Sequence, residues 1–277
     1  MDRLIVLLSR AIITRSILLG GDVVKYLFRG FVGVGLFCVV SPSALVAHQD
    51  VFLWDLDGVV LKRKNMLQAA WSYPHKRELV RQLSYPVLRD AVTAVFGRRV
   101  FGHKGAGEQV IHLARQHNIP QLEEFVLTVA NAKEPMPDTV EIMMRLHEAE
   151  YTQYIGTNMG KTLFDDLAKR EDLSFFHDWF DMPASQFVTL EGLKRDIYKP
   201  KHAFFEDFLA RNNLPASQVI FIDDKAENVK AAREVGMRAI RFTNARALEN
   251  ELEKLGVMAG GVASLATSSY LAHTPAR

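Results

Sequence analysis

Residues 52–60 read FLWDLDGVV, an apolar run that ends in two aspartates two positions apart, with a glycine directly after the second. A short apolar run of this kind is typical of a buried parallel strand. Because alternate strand residues face the same side, Asp55 and Asp57 are expected to face one pocket, and Gly58 allows a sharp turn there. Neighbouring carboxylates repel, so a cation is expected between them. The same residues also suit a turn with solvated acids.

Four short apolar runs predict the strands of the sheet: Val51–Trp54, Thr152–Gly156, Val219–Ile222 and Arg238–Phe242. Helical patterns separate them, so the sequence predicts an α/β fold with a Rossmann-like parallel sheet. The stretch between the first two strands shows no clear strand pattern. It predicts helices at about 65–82, 86–97, 107–117, 121–132 and 137–149. The last of these helices is expected to belong to the core. The other four predict an inserted α-helical domain over residues 62–134.

Two polar residues follow the second predicted strand, and a lysine precedes a later predicted helix. Thr157 and Asn158 come after the second strand, where they could instead cap a helix. Lys199 stands before Pro200, which is expected to open a helix at its first turn. A lone lysine is more often an ordinary surface residue.

The third predicted strand ends in Asp223 and Asp224, within the stretch VIFIDDKAENV. Paired acids after a buried strand need a counter-charge, and Mg²⁺ prefers oxygen ligands. The alternative is a helix N-terminus, which also favours aspartate. In a parallel α/β sheet, ligands gather at the carboxyl ends of the strands, so all these polar groups are expected in one crevice. Together they suit the binding of a metal ion and a phosphoryl group.

With these motifs in place, the chain resembles the haloacid dehalogenase superfamily of phosphohydrolases. The matching motifs are DLDGV (55–59), GTN (156–158), KP (199–200) and FIDDKAENV (221–229). The resemblance implies a catalytic core over residues 48–61 and 135–257, and a helical cap of the C1 type, as in subfamily I, over 62–134.

The resemblance also implies a role for each motif residue. Asp55 is the expected nucleophile, and Asp57 the acid that protonates the leaving oxygen and then the base that activates water. Thr157 and Asn158 are expected to bind the phosphoryl oxygens, and Lys199 to neutralise charge. The expected Mg²⁺ ligands complete the set: Asp55, the backbone carbonyl of Asp57, Asp223 and Asp224.

The implied activity is that of a magnesium-dependent phosphatase acting on a small phosphorylated metabolite through an aspartyl-phosphate. Dehalogenating members of the superfamily lack the second aspartate, so Asp57 favours phosphate esters. Two alternatives stay open: a phosphomutase or phosphotransferase using the same site, and a non-catalytic phospho-ligand-binding protein. Lys194 is a rival for the role of Lys199, and Lys225 replaces a residue that is usually small. The predicted cap offers loose candidates for substrate contacts: Lys62, Arg63, Lys64, His75, His103 and Lys104.

The composition of the chain limits the classes of binding partner and metal site that it can have. The chain has 277 residues, 48% hydrophobic and 24% charged, which fits an ordinary globular protein. A net charge of +2 and only short basic runs argue against nucleic acid as a binding partner. The single cysteine, Cys38, excludes an internal disulfide and a cysteine-rich zinc site.

The two ends of the chain differ from the middle. Residues 30–47 carry no charge and follow a basic stretch, so segment 1–47 is expected to be a signal peptide or a membrane anchor. A soluble helical extension is the third possibility. An exported or membrane-associated protein is therefore favoured over a cytoplasmic one, with membrane contact expected through this segment. Residues 258–277 are rich in small residues and predict a loose tail.

Overall fold

The computed structural model describes residues 50–91 and 105–257, all within one unit, His48–Arg277. The predicted signal or anchor segment 1–47 and the predicted tail 258–277 lie outside the described residues. Within the two described ranges, no helix is both long enough and apolar enough to cross a bilayer.

The described residues form two sheets flanked by helices. The strands are β1 (Val51–Trp54), β2 (Leu61–Arg63), β3 (Lys133–Pro135), β4 (Gln153–Gly160), β5 (Gln186–Val188), β6 (Val219–Asp223) and β7 (Arg238–Arg241). The helices are α1 (Met66–Ser72), α2 (Lys76–Gln82), α3 (Ala106–Gln116), α4 (Pro120–Ala130), α5 (Pro137–Glu148), α6 (Lys161–Leu167), α7 (Phe175–Trp179), α8 (Leu190–Lys194), α9 (His202–Asn212), α10 (Ala226–Glu234) and α11 (Ala245–Lys254).

The larger sheet is parallel, with the strand order β5-β4-β1-β6-β7. Every residue of β1 is buried, as expected for a central strand covered on both faces. Phe52 and Trp54 belong to one apolar cluster and Leu53 to another, so the two faces of β1 pack against separate sets of helices. The predicted α/β fold with a parallel sheet is confirmed.

All four predicted strands are present, and three of them, β4, β6 and β7, differ from the prediction by one residue or more at an end. β4 continues to Gly160 instead of ending at Gly156, so Thr157 and Asn158 lie within the strand and not after it. β7 ends at Arg241, one residue earlier than predicted. β4 extends because it pairs with β5 at Gly156 and Gly160, and β5 itself was not predicted.

The insertion between β2 and β3 is helical, as predicted. The predicted helix over 65–82 is two helices, α1 and α2, because Pro74 lies between them and proline lacks the backbone donor a helix needs. Residues 85–91 are also helical, and the rest of the helix predicted over 86–97 lies outside the described residues. The insertion has its own apolar cluster, formed by Tyr73, Leu79, Val87, Ala91, Val110, Ala114, Ile119 and Leu122.

Strands β2 and β3 form an antiparallel ribbon at the two ends of the insertion, with Arg63 opposite Lys133. The prediction that this region has no strand was wrong. Each strand has only three residues, and both contain charged residues, so neither shows an apolar run. The predicted borders at residues 62 and 134 lie on this ribbon, and the domain boundaries stay a prediction.

Candidate active site

Lys199 lies at the centre of the charged groups where β1 and β6 end. Its Nζ is 2.8 Å from Asp55 Oδ1 and donates to Asp223 Oδ2 at 2.7 Å and to the Gly156 carbonyl at 2.7 Å. The side chain is only 1% exposed, so all its donors are directed at protein groups in a region without bulk water. Burial alone would lower the pKa of Lys199, but the charges of Asp55 and Asp223 outweigh it and raise that pKa.

The two acids that contact Lys199 have pKa values shifted in opposite directions. Burial raises the pKa of Asp55 to about 6, against the opposing charge of Lys199, and the negative charge of Asp223 adds to the rise. Burial also acts to raise the pKa of Asp223, but the charge and hydrogen bond of Lys199 lower it overall. Asp55 therefore takes up a proton at a higher pH than Asp223 does.

Asp223 is further held by the start of α10. Its Oδ1 accepts the backbone N–H of Lys225 at 2.8 Å, and Asn228 Nδ2 lies 2.9 Å from each carboxylate oxygen. Lys225, noted in the sequence as an unusual residue, thus contributes its backbone to the site. Asn228 was not singled out from the sequence.

Asn158 contacts the backbone of Lys199 from β4. Its Oδ1 accepts the N–H of Lys199 at 2.8 Å, and its Nδ2 donates to the Lys199 carbonyl at 2.9 Å. The side chain thus fixes the peptide that carries the central lysine, and its predicted phosphoryl contact stays a prediction. Pro200 precedes α9 and does not open its first turn, because Lys201 occupies the N-cap.

Thr157 lies on β4 beside Asn158 and is 1% exposed. Its Oγ1 accepts the backbone N–H of Met159 at 3.2 Å, which leaves the hydroxyl proton available for another acceptor. β4 and β1 are parallel neighbours, so Thr157 is at the same sheet edge as Asp55. Its predicted contact with a phosphoryl oxygen stays a prediction.

Asp57 is held by two cations of the β2–β3 ribbon. Its Oδ1 is 2.9 Å from Lys133 Nζ, and its Oδ2 accepts from Arg63 Nη2 at 3.3 Å. Burial would raise the pKa of Asp57, but the Lys133 charge, its hydrogen bond and Arg63 lower it overall. The sequence motifs indicated Arg63 only as a loose substrate candidate and gave no sign of Lys133.

Three carboxylates at this edge could hold a metal ion. Asp55, Asp223 and Asp224 each offer one oxygen, and these oxygens all lie within 4.8 Å of one another. Asp224 Oδ1 is buried and has no hydrogen-bond partner among the described residues. Burial, and then the charge of Asp223, raise the pKa of Asp224, and the charges of Lys225 and Lys199 only partly offset that rise. The all-oxygen donor set and this unpaired atom fit Mg²⁺.

Gly58 makes room for this cluster. Its φ is +91°, a region that side chains rarely adopt, and a Cβ there would lie 2.8 Å from Asp224 Oδ2. The glycine after Asp57 therefore allows the turn, as predicted, and also lets the backbone approach Asp224 closely.

The seven predicted site residues all lie at the carboxyl edge of the sheet or just before α9. Other candidates are placed elsewhere. Lys194 is 76% exposed and lies 3.5 Å from Glu191, so it is not part of the charged cluster. Lys62 and Lys64 pair with Glu134. His75 packs against Tyr73, and His103 and Lys104 lie outside the described residues.

A family model described as a haloacid dehalogenase-like hydrolase matches residues 49–236, more than half of the chain. The chain therefore belongs to the haloacid dehalogenase-like hydrolases. The match includes all seven predicted site residues.

Several curated proteins are similar over part of the chain. The sesquiterpene phosphatase astK of Aspergillus oryzae is 34% identical over 102 residues, 37% of this chain and 47% of that protein. The drimenol cyclase drtB of Aspergillus calidoustus is 35% identical over 192 residues, 67% of this chain and 34% of that protein. The chloroplast flavin mononucleotide hydrolase 1 of Arabidopsis thaliana is 37% identical over 59 residues, 21% of this chain and 24% of that protein. The chain thus spans less than half the length of each of these relatives.

Solved structures are also similar. The L-2-haloacid dehalogenase of Xanthobacter autotrophicus has a TM-score of 0.47 at 16% identity, over 78% of this chain and 84% of that one. A haloacid dehalogenase family enzyme of Bacteroides thetaiotaomicron, in complex with magnesium and inorganic phosphate, has a TM-score of 0.45 at 15% identity, over 70% of this chain and 94% of that one.

Proposed function

We propose that this chain is a magnesium-dependent phosphatase that hydrolyses phosphate monoesters through an aspartyl-phosphate at Asp55. One observation carries the proposal: a buried carboxylate, Asp55, contacts a buried lysine, and a second carboxylate, Asp57, follows two residues later. A nucleophile beside a positioned acid–base group is the arrangement that covalent hydrolysis requires. Membership in a hydrolase family agrees with it.

The first step of the proposed reaction is attack of an Asp55 oxygen on phosphorus. The ester P–O bond breaks, and the leaving oxygen takes a proton from Asp57. In the second step, water attacks phosphorus while Asp57 takes a proton from that water. The P–O bond to Asp55 then breaks, which releases inorganic phosphate and restores both carboxyl groups. Lys199 and the Thr157 hydroxyl are the groups proposed to bind phosphoryl oxygens, since both are fixed at this edge.

Mg²⁺ is the proposed cofactor, held by Asp55, Asp223 and Asp224 together with the backbone carbonyl of Asp57. When bound, the ion would shield the phosphate charge from the anionic nucleophile. Asp224 is the carboxylate with an unpaired buried oxygen, whereas both oxygens of Asp223 already accept hydrogen bonds. We therefore propose Asp224 as the main protein ligand besides Asp55.

The metal proposal can be tested without turnover. Mg²⁺ that binds only the folded protein raises its stability by about 2.7 kcal/mol at a hundredfold excess over Kd. We expect Mg²⁺ to raise the melting temperature of the full-length chain and to have little effect on Asp224→Asn. An equal shift in both proteins would contradict the assignment of Asp224.

The proposed substrate is a small organic phosphate. Two of the similar proteins are named for such chemistry, one as a sesquiterpene phosphatase and one as a flavin mononucleotide hydrolase. A terpenyl monophosphate and flavin mononucleotide are therefore the first physiological compounds to test. An aryl phosphate serves as a generic probe, because its leaving group reports turnover directly.

The deciding experiment measures hydrolysis of the aryl phosphate by the full-length chain, with Mg²⁺ and with a chelator. We expect metal-dependent turnover, and a loss of several orders of magnitude in Asp55→Asn, the scale seen when a covalent nucleophile is removed. Asp165→Asn is a matched control, since Asp165 is 52% exposed on α6 and pairs with Lys161. Its activity is expected to match the unmodified chain.

Two results would redirect the proposal. Formation of the aspartyl-phosphate with transfer to an added alcohol, and little release of inorganic phosphate, would indicate a phosphotransferase. Binding of phosphate compounds without turnover, in both the unmodified chain and Asp55→Asn, would indicate a phospho-ligand-binding protein. Retention of most activity by Asp55→Asn would refute the proposed nucleophile.

A further inference from the structure

Lys133 is a buried lysine that none of the motifs assigns. It lies on β3, and its side chain is 7% exposed. Among the described residues only Lys133 and Lys199 are buried lysines. Lysine is almost never fully buried unless it is paired, so the partner of a buried lysine indicates what the burial serves.

The partner of Lys133 is the carboxylate proposed as acid and base. Lys133 Nζ lies 2.9 Å from Asp57 Oδ1, and Arg63 Nη2 engages the other oxygen at 3.3 Å. Arg63 and Lys133 stand opposite each other on the β2–β3 ribbon. A carboxylate with a cation beside each oxygen is restricted in its orientation, and charge-assisted contacts are the stronger kind of hydrogen bond.

The two cations differ in how firmly they are placed. Arg63 is 53% exposed, so water screens its contact, whereas Lys133 is enclosed. The backbone of Lys133 is held from the core as well, because its carbonyl accepts from Arg170 Nη1 at 2.7 Å. Lys133 is therefore the contact that defines where Asp57 points.

We propose that Lys133 is a positioning residue for the reaction, which orients the Asp57 carboxylate toward the leaving oxygen and then toward the attacking water. This inference rests on the proposed function and extends it to the ribbon that joins the insertion to the core. Because Lys133 and Arg63 both belong to that ribbon, the orientation of Asp57 depends on the placement of the inserted helices relative to β1.

The proposal predicts a dependence on the leaving group. The alkoxide oxygen of an alkyl phosphate needs a proton from Asp57 in order to leave. The dinitrophenolate of a dinitrophenyl phosphate is stable as an anion and leaves without a proton. In the full-length chain, Lys133→Met is expected to lower kcat for an alkyl phosphate by about tenfold to a hundredfold, part of the ~100- to 10,000-fold that a positioned acid–base group contributes. The first turnover with dinitrophenyl phosphate, measured as a rapid burst, is expected to change much less.

Two further variants separate positioning from a general structural role. Lys133→Arg keeps a cation at the site and is expected to restore much of the alkyl phosphate rate. Lys133→Met made in an Asp57→Asn background is expected to cause little further loss, because residues that act through one another are not additive. Lys62→Met is the matched control: Lys62 also lies on the ribbon, but is 58% exposed and pairs with Glu134.

A measurement that needs no turnover tests the contact itself. Thermal unfolding of the two single variants and the double variant forms a double-mutant cycle. Each single variant leaves a charge without its partner. The loss in melting temperature of the double variant is therefore expected to be smaller than the sum of the losses in the two single variants. Additive losses would refute the coupling of Lys133 to Asp57.

The outcomes distinguish this proposal from the phosphatase proposal. Suppose that the unmodified chain is active. The role of Lys133 alone is then overturned if Lys133→Met loses activity equally on alkyl and dinitrophenyl phosphates, or loses none. A further large loss in the Asp57→Asn background overturns it too. An unmodified chain without metal-dependent turnover overturns the phosphatase proposal, and the positioning role falls with it.

Discussion

Replacing Lys199 with methionine should severely destabilise the protein when no metal is bound. Methionine has a similar length, so the packing is largely kept and the charge is removed. Lys199 Nζ contacts Asp55 at 2.8 Å and Asp223 at 2.7 Å, and the lysine is 1% exposed. The substitution thus leaves two buried carboxyl groups side by side without their cation.

The size of the effect follows from these contacts. A hydrogen bond to a charged group contributes roughly 1.5–3 kcal/mol, and two such bonds are lost. Removing one partner of a buried ion pair typically costs about 3–5 kcal/mol. The first route gives a loss of about 3–6 kcal/mol in the free energy of unfolding and the second about 3–5 kcal/mol, a large share of the roughly 5–15 kcal/mol of an ordinary domain.

The assay is urea unfolding of the full-length chain with a chelator present, followed by circular dichroism near neutral pH. Lys194→Met is the control, since Lys194 is 76% exposed, and we expect it to leave the unfolding curve nearly unchanged. A loss below about 1 kcal/mol for Lys199→Met, or one equal to the control, would refute the view that this lysine neutralises two buried acids.

The loss should also depend on pH. Lys199 lowers the pKa values of Asp55 and Asp223, so its removal raises both in the folded state. A group whose folded-state pKa is raised favours folding at low pH and loses that contribution as pH rises. The difference from the unmodified chain should therefore grow as pH rises above about 6, the Asp55 pKa of the unmodified chain, and shrink as pH falls toward that value. A difference that grew on acidification would contradict the argument.

Three further substitutions test other contacts. Gly58→Ala forces a side chain into a φ of +91° and against Asp224, so it should cost about 1–3 kcal/mol in urea unfolding and weaken the Mg²⁺-induced thermal shift. Asn158→Ala removes two hydrogen bonds to the Lys199 backbone, so the free energy of unfolding should fall by about 1–2 kcal/mol. Inhibition by inorganic phosphate should stay unchanged. Weaker inhibition would instead indicate a direct phosphoryl contact. Tyr73→Phe should cost about 1 kcal/mol by circular dichroism, and ultraviolet titration should lose the tyrosine whose pKa burial raises to about 12.

The strands that sequence analysis predicted are those whose burial leaves an apolar run. β1 and β6 are central, and all their residues are buried, so both stand out in the sequence. β5 has three residues and begins with Gln186, which bonds to Asp207, so hydrophobicity alone does not reveal it. The residues of β4 beyond Gly156 are polar enough to suggest a helix cap, and their extension beside β5 is a contact that the local sequence does not show.

The same distinction holds for the site. Asp55, Asp57 and Asp223 could be predicted because each ends an apolar strand or follows one within three residues. Lys133 could not, because its contact with Asp57 depends on the pairing of β3 with β2, which is distant in sequence. The phosphoryl contact of Asn158 stays a prediction, and the structure adds a contact that was not predicted, between its side chain and the Lys199 backbone. A local motif gives no sign of such a contact.

The central position of β1 has a consequence for how the chain folds during synthesis. Both of its neighbours are made later: Phe52 pairs with Gln153 on one side and with Ile220 on the other. Until β4 and β6 emerge from the ribosome, β1 has two unpaired edges and four uncovered apolar side chains, and exposed strands of this kind associate with other chains. The helices α3 and α4 are sequence neighbours that pack together, so the insertion can fold earlier. Slow folding and the need for a chaperone are therefore expected to arise from the core and not from the insertion.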